Sequence, residues 1–311
     1  MKQNQISASF VSVTMACASS ALGAITIPTV AIGNPGNAAD PSTGSGSVAY
    51  LYNIGSTEVT NTQYAAFLNA VASTDTNNLY IDAMAQRYSG ITRTGSSGFY
   101  TYAAVDGRAN NPVNFVNISG AMRFANWMHN GQPTGAQNAT TTEDGAYTLT
   151  RGDPFGRASR NTGWRWAVTS ENEWYKAAYH QPAAQGGDGD NYWFYPTSRN
   201  TITPAQANYL GSGVNNTLPV GSYAPNFYGA LDMGGNLAEW LDTTLENTQT
   251  RRLRGGSFGN SNVSLQAGNW FTDNSTSKSY DVGFRLVMIP APSALALLPL
   301  SGLMIIRRRR Y

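Results

Sequence analysis

Three helix starts, each with a side chain able to cap it, stand far apart in a chain otherwise punctuated by glycine, asparagine and threonine. Thr60-Asn61-Thr62-Gln63 is a capping box, in which the threonine and glutamine side chains satisfy backbone N–H groups that the helix leaves free. Tyr64, Phe67, Leu68 and Val71 follow at helical spacing. Ser170-Glu171-Asn172-Glu173 repeats the arrangement ahead of Trp174, Ala177 and Ala178. Ser119 is placed to cap a third helix with Ala121, Phe124, Ala125 and Met128 on one face. Gly-, Asn- and Thr-rich stretches, 129–163 above all, read as irregular. Short strands are expected around the helices, for example over 48–54 and 252–253. The strand–helix alternation that builds a parallel sheet is missing. The class is therefore α+β with much coil.

Composition narrows the functions open to such a fold. Hydrophobic residues make up 41% of the 311, enough for a sizeable core, so disorder is not expected. Only 12% are charged, about half the usual share. The net charge of +2 misleads, because four of the 20 basic residues are Arg307 to Arg310. Without them 16 basic residues face 18 acidic ones, a balance of −2, and no basic face for nucleic acid is expected. The single cysteine, Cys17, lies near the N-terminus. Residues 18–311 therefore hold no disulfide, thiolate metal ligand or cysteine nucleophile.

Both ends read as addresses. Lys2, the moderately apolar run Phe10 to Ala16 and the small residues Ala21-Leu22-Gly23 resemble a secretory leader over 1–24, with Cys17 incidental to it. Residues 25–47, with Gly33-Asn34-Pro35-Gly36 and Thr43-Gly44-Ser45-Gly46-Ser47, read as a flexible linker. A single domain is expected over 48–289. After it come Pro290-Ala291-Pro292, the apolar stretch Ser293 to Ile306 and the four arginines. That stretch spans about 21 Å as a helix, against about 30 Å of hydrocarbon; extension to Ile289 and snorkelling arginines narrow the gap. The arginines would stay cytoplasmic, with the domain outside. The layout of 290–311 resembles the PEP-CTERM sorting tails of exported bacterial proteins, departing at Ala291, where those tails usually have Glu. A plain anchor gives the same topology. Export to the cell envelope or beyond is the expectation, with processing machinery at the membrane as a partner.

Inside the domain a series of motifs carries a second resemblance. Glu58-Val59-Thr60-Asn61, with Tyr64 and Phe67, comes first. Asn111-Pro112-Val113-Asn114-Phe115-Val116 runs into Phe124-Ala125-Asn126-Trp127. Thr169-Ser170-Glu171-Asn172-Glu173-Trp174 follows, then Pro219-Val220-Gly221 and Asp232-Met233-Gly234-Gly235-Asn236 with Glu239-Trp240. Leu253-Arg254-Gly255-Gly256-Ser257-Phe258 and Gly283-Phe284-Arg285 close the series. In this order the chain resembles the formylglycine-generating enzyme, or sulfatase-modifying factor, family. That resemblance implies a coil-rich α+β domain of the C-type lectin-like type. Trp127, Trp174 and Trp240 read as core, Arg285 as a buried pairing residue, and Arg254-Gly255-Gly256-Ser257 as a close backbone passage.

One departure bears on chemistry. In catalytic members a pair of cysteines after the Arg-Gly-Gly-Ser motif binds copper and oxidises a substrate cysteine to formylglycine, work that needs soft thiolate ligands. Here Asn260 and Leu265 stand at the matching positions, so no catalytic residue is assigned and copper is not expected. His129 and His180, the only histidines, have no paired spacing. The resemblance also implies calcium, a hard ion that takes six to eight oxygens. Asp232 and Glu239 would ligate through side chains, and Gly235 and Leu237 through carbonyls. A second site would begin at Asn208 and the Tyr209 carbonyl, although Gly211 to Asn216 offers no acidic ligand.

Two functions follow. One is an exported, surface-associated binding or structural module, a pseudoenzyme whose ligand is a polysaccharide or a protein. The other is an oxidoreductase of the same family acting on a protein or small-molecule sulfur group. The three-histidine iron site of related sulfoxide synthases belongs to a helical domain that this chain lacks. The thiol inventory favours the module.

Overall fold

The computed structural model describes residues 23–88, 90–150, 158–245 and 249–290. Strands β1 (Thr29–Ile32), β2 (Tyr52–Gly55), β10 (Leu286–Met288) and β5 (Trp166–Val168) lie side by side in that order as an antiparallel sheet. A second four-stranded sheet runs β8 (Phe271–Asn274), β7 (Thr250–Arg254), β6 (Ala238–Thr244) and β9 (Val282–Gly283), with β6 and β9 parallel. A small hairpin joins β3 (Ile91–Thr94) to β4 (Thr101–Ala104). With three α-helices among the described residues and long coil, this is the expected α+β class, in its C-type lectin-like form.

Helix α1 (Asn61–Val71) begins at the Thr60 and Gln63 capping box, and α3 (Glu171–Tyr179) at the Ser170 and Glu173 box. Helix α2 (Ile118–His129) is capped two residues earlier than expected, because the Asn117 carboxamide accepts the Gly120 N–H at 2.9 Å. Ser119 lies buried in the first turn instead. Tyr64 and Phe67 of α1, Phe124 and Trp127 of α2, and Phe284 pack ring against ring at 5.3–6.3 Å and form the centre of the core. Trp127, Trp174 and Trp240 are all buried in it.

Two expectations shift. The strand expected over 48–54 is Tyr52–Gly55, because Val48 is held by the loop before it: its N–H donates to Asn37 and its carbonyl accepts Gly36 N–H. The flexible linker over 25–47 is corrected. It contributes β1 to the sheet, and Asn37 and Asp40 are buried. Asn37 Nδ2 donates to Gly46 O and to the Tyr192 hydroxyl, each at 2.7 Å, and Asp40 accepts the Tyr175 hydroxyl. Its glycines and serines make tight turns over α3. Composition alone reads such a segment as loose, because the side chains that hold it come from residues over 100 positions away. The leader and the sorting tail lie almost wholly outside the described residues. Among the described residues, no helix is long and apolar enough to cross a membrane.

Candidate functional site

The Arg-Gly-Gly-Ser segment leaves β7 and passes under the turn that precedes β6. Gly255, at φ 86°, would bring a Cβ within 3.0 Å of the Met233 carbonyl and 3.2 Å of Trp174, so the close passage expected there is built. Gly235, at φ 78°, would meet the Asn208 carbonyl at 2.2 Å, and its N–H donates to Gly255 O at 3.0 Å. Three distant stretches are thereby fastened into one floor.

On this floor lie the positions that match the family's cysteines. Asn260 Oδ1 accepts both the N–H and the hydroxyl of Ser257, at 2.8 and 2.9 Å, and its carbonyl accepts Leu210 N–H at 2.8 Å. Leu265 is buried in a small satellite core with Tyr195, Ala207 and Tyr209. One position has become a turn brace and the other a core residue; a carboxamide and an alkyl chain offer no soft ligand. Beside them Asp281 accepts from the Ser279 hydroxyl and, at 3.4 Å, from Ser257. Tyr88, Phe258 and Tyr280 gather at centroid distances of 5.1–6.0 Å, with Tyr280 exposed.

The acidic turn is organised differently from expectation. Glu239 spends both carboxylate oxygens on Arg285, at 2.6 Å each, and Oε2 also accepts Trp174 Nε1–H at 2.8 Å. Burial by itself would lower the Arg285 guanidinium, and the facing Glu239 carboxylate overrides this and holds it above its ordinary value. Arg285 is thus the buried pairing residue expected, and its other N–H groups reach the carbonyls of Gly55, Leu231 and Asp232. The carboxylate expected as a calcium ligand at Glu239 is committed to this pair. Asp232, at φ 53°, accepts Gly221 N–H at 2.6 Å. Asn208 Oδ1 accepts the Ser212 hydroxyl at 3.0 Å, and the Tyr209 carbonyl accepts Ser212 N–H at 2.8 Å, so both starting ligands of the second expected site brace a turn. Among the described residues no three His, Cys, Asp or Glu side chains stand together as a metal-holding group.

A further acid belongs to the turn. Glu58 is buried, and neither carboxylate oxygen has a hydrogen-bond partner among the described residues. Burial first, then the neighbouring Asp232 carboxylate, raises its carboxyl well above the ordinary range; Arg285 opposes this. Asp232 is raised too, chiefly by burial. In the sequence Glu58 is the residue before a strand-like Val59 and a helix cap, and nothing local marks it as buried. Tertiary contacts bring it there: Val59 N–H donates to the Phe284 carbonyl, which ties the chain beside Glu58 to the segment that carries Arg285.

Comparison with known proteins agrees with this geometry. The model of the sulfatase-modifying factor enzyme 1-like domain matches residues 34–289, beginning within the segment that composition suggests is a linker. Among solved structures, CarF is similar at 22% identity and a TM-score of 0.55, over 86% of this chain and 99% of that one. The variable protein 1 of Treponema denticola is similar at 21% identity and a TM-score of 0.56, over 87% of this chain and 98% of that one. These likenesses establish the fold. No curated protein matches the chain. The chain belongs to the sulfatase-modifying factor enzyme 1-like domain family.

Proposed function

We propose that the protein is an exported, surface-associated binding or structural module that keeps the sulfatase-modifying factor domain without its copper–thiolate oxidation. The observation that carries this reading is the use made of Asn260 and Leu265, one bracing the Ser257 turn and the other filling a core. Thiolate chemistry needs both positions, and Cys17 is the only thiol in the chain. The leader and tail motifs support export and retention at the membrane, with a polysaccharide or protein as ligand outside. Incubating the chain with a cysteine-containing sulfatase peptide, with and without copper, tests the chemistry. Mass spectrometry is expected to find the thiol unchanged, and copper-dependent gain of aldehyde above a no-protein control overturns the reading. Fractionation of cells expressing the chain with and without 290–311 tests location, and two soluble cytoplasmic forms overturn it.

Calcium remains part of this proposal in altered form. With Glu239 engaged by Arg285, the anionic ligands become Glu58 and Asp232, which lie close enough that the Asp232 carboxylate raises the cost of ionising Glu58. The unpartnered carboxylate of Glu58 is the observation that favours it. Backbone carbonyls, those of Gly235 and Leu237 among them in the family pattern, would complete the oxygen shell.

A further inference from the structure

A cleft of about 390 Å³ opens at the start of α3 and beside β6, and Tyr50, Ser159, Arg160, Trp164, Asp242 and Thr244 line it. Its polar floor is rigid. Arg160 donates through both Nη atoms to Glu173, at 2.8 and 2.6 Å, and through Nε to Asp242 Oδ2 at 2.6 Å. Tyr147 donates to the same Asp242 oxygen at 2.7 Å, and Tyr50 to Glu173 Oε1 at 2.7 Å. The Arg160 guanidinium also lies 4.3 Å from the Trp164 ring, which holds the indole in place.

This network leaves a particular set of groups for a ligand. Asp242 Oδ2 takes two donors, and Oδ1 accepts from none of the described residues. The hydroxyls of Ser159 and Thr244, both exposed, make no hydrogen bond to a described residue. The cleft therefore offers donors and acceptors together. An anion would face the carboxylates of Asp242 and Glu173, and a cation would face Arg160. Tyr50, 42% exposed, and Trp164 add apolar ring surface at the same opening. A ligand matched to all of this is uncharged, has adjacent hydroxyls that both donate and accept, and carries a C–H face to set against a ring.

We propose that the cleft between Tyr50 and Trp164 binds a neutral hexose unit. This rests on the reading of the domain as a binding module and names the ligand class and the place. The full chain is titrated with glucose and with neutral gluco-, manno- and galacto-configured tetrasaccharides. A uronic acid tetramer and tetralysine are the charged controls, and tryptophan fluorescence and calorimetry are the readouts. A neutral sugar is expected to bind, and binding by glucose as tight as by its tetramer identifies a free sugar rather than a glycan chain. Trp164→Ala is expected to weaken binding about tenfold, as loss of an aromatic anchor does. Thr244→Val, at an exposed position at the end of β6, is expected to weaken it a few-fold. Binding by none of the neutral sugars overturns the proposal, as does tighter binding of either charged tetramer or neutral-sugar binding unchanged in both variants. If no sugar binds and the sulfatase peptide stays unoxidised, this site fails and the module reading stands. Copper-dependent oxidation removes the module reading whatever the sugars do.

Discussion

Ser257 directs its N–H and its hydroxyl at one atom, Oδ1 of Asn260, at 2.8 and 2.9 Å. Ser257 is fully buried, so its N–H has no water to turn to, and its hydroxyl has Asp281 at 3.4 Å as a second acceptor. Asn260→Ala is therefore expected to cost about 1–3 kcal/mol, the cost of stranding a buried donor. Leu265→Ala, in the satellite core, is expected to cost about 2–5 kcal/mol. Urea denaturation of the two variants measures both, and a neutral Asn260→Ala would show that the turn holds without its brace.

The Glu239–Arg285 pair is buried at both ends, with two 2.6 Å hydrogen bonds. Arg285→Met leaves Glu239 charged in the core and is expected to cost about 3–5 kcal/mol. Adding Glu239→Gln should recover part of that loss, since the stranded charge disappears while the freed carbonyls of Gly55, Leu231 and Asp232 remain unpaired. A double-mutant cycle by chemical denaturation gives the coupling, and strictly additive losses would contradict a paired role.

Glu58 separates a proton from a cation. Its folded carboxyl is raised, so without an ion its burial is easy below the unfolded value of 4.5 and becomes costly as pH rises. In excess chelator at pH 7, Glu58→Gln is expected to melt higher than the unmodified chain, with the gain vanishing below pH 4.5. In excess calcium the order should reverse. Calcium at about 100 times Kd adds about 2.7 kcal/mol to the unmodified chain, and the variant lacks a ligand. Identical melting of the unmodified chain in calcium and in chelator rules calcium out.

His180 is buried, with Nδ1 at 2.7 Å from the Tyr228 hydroxyl and Nε2 at 3.3 Å from Asn34 Nδ2. Burial, then the Lys176 charge, lowers it from 6.5 to about 4. The unfolded chain therefore takes up this proton first, and the contribution of the neutral ring to stability falls as pH drops from 6.5 to about 4. The loss is expected to reach about 3 kcal/mol. Since Glu58, Asp232 and Asp242 shift stability in the opposite sense over the same range, the test is a difference: His180→Gln should lose less stability than the unmodified chain between pH 6.5 and 4.

Local chemistry made much of the fold legible. The Thr60 and Ser170 boxes start α1 and α3 where expected, because a cap and its N3 partner lie within four residues of each other. The Asn117 cap was less visible, since asparagine and serine two residues apart are equally able to begin a helix and only packing chose between them. The tightly held segment 33–47 was invisible for a related reason: Tyr175 and Tyr192, which grip Asn37 and Asp40, are more than 100 residues away.

The sequence by itself determined the family, the coil-rich α+β class and the loss of thiols at 260 and 265, because residue type at a motif position decides what chemistry that position can supply. Tertiary structure alone decided where the charges went. Glu239 could have faced an ion or an arginine, and its spacing in the turn suits either. The choice fell to Arg285 because β9 lies parallel to β6 and carries the following residues into the same buried space. Glu58 came to lie beside Asp232, and Arg160 between Glu173 and Asp242, by the same route. In a low-dielectric interior each charge is controlled by its nearest neighbours, and those neighbours are set by the path of the chain through space.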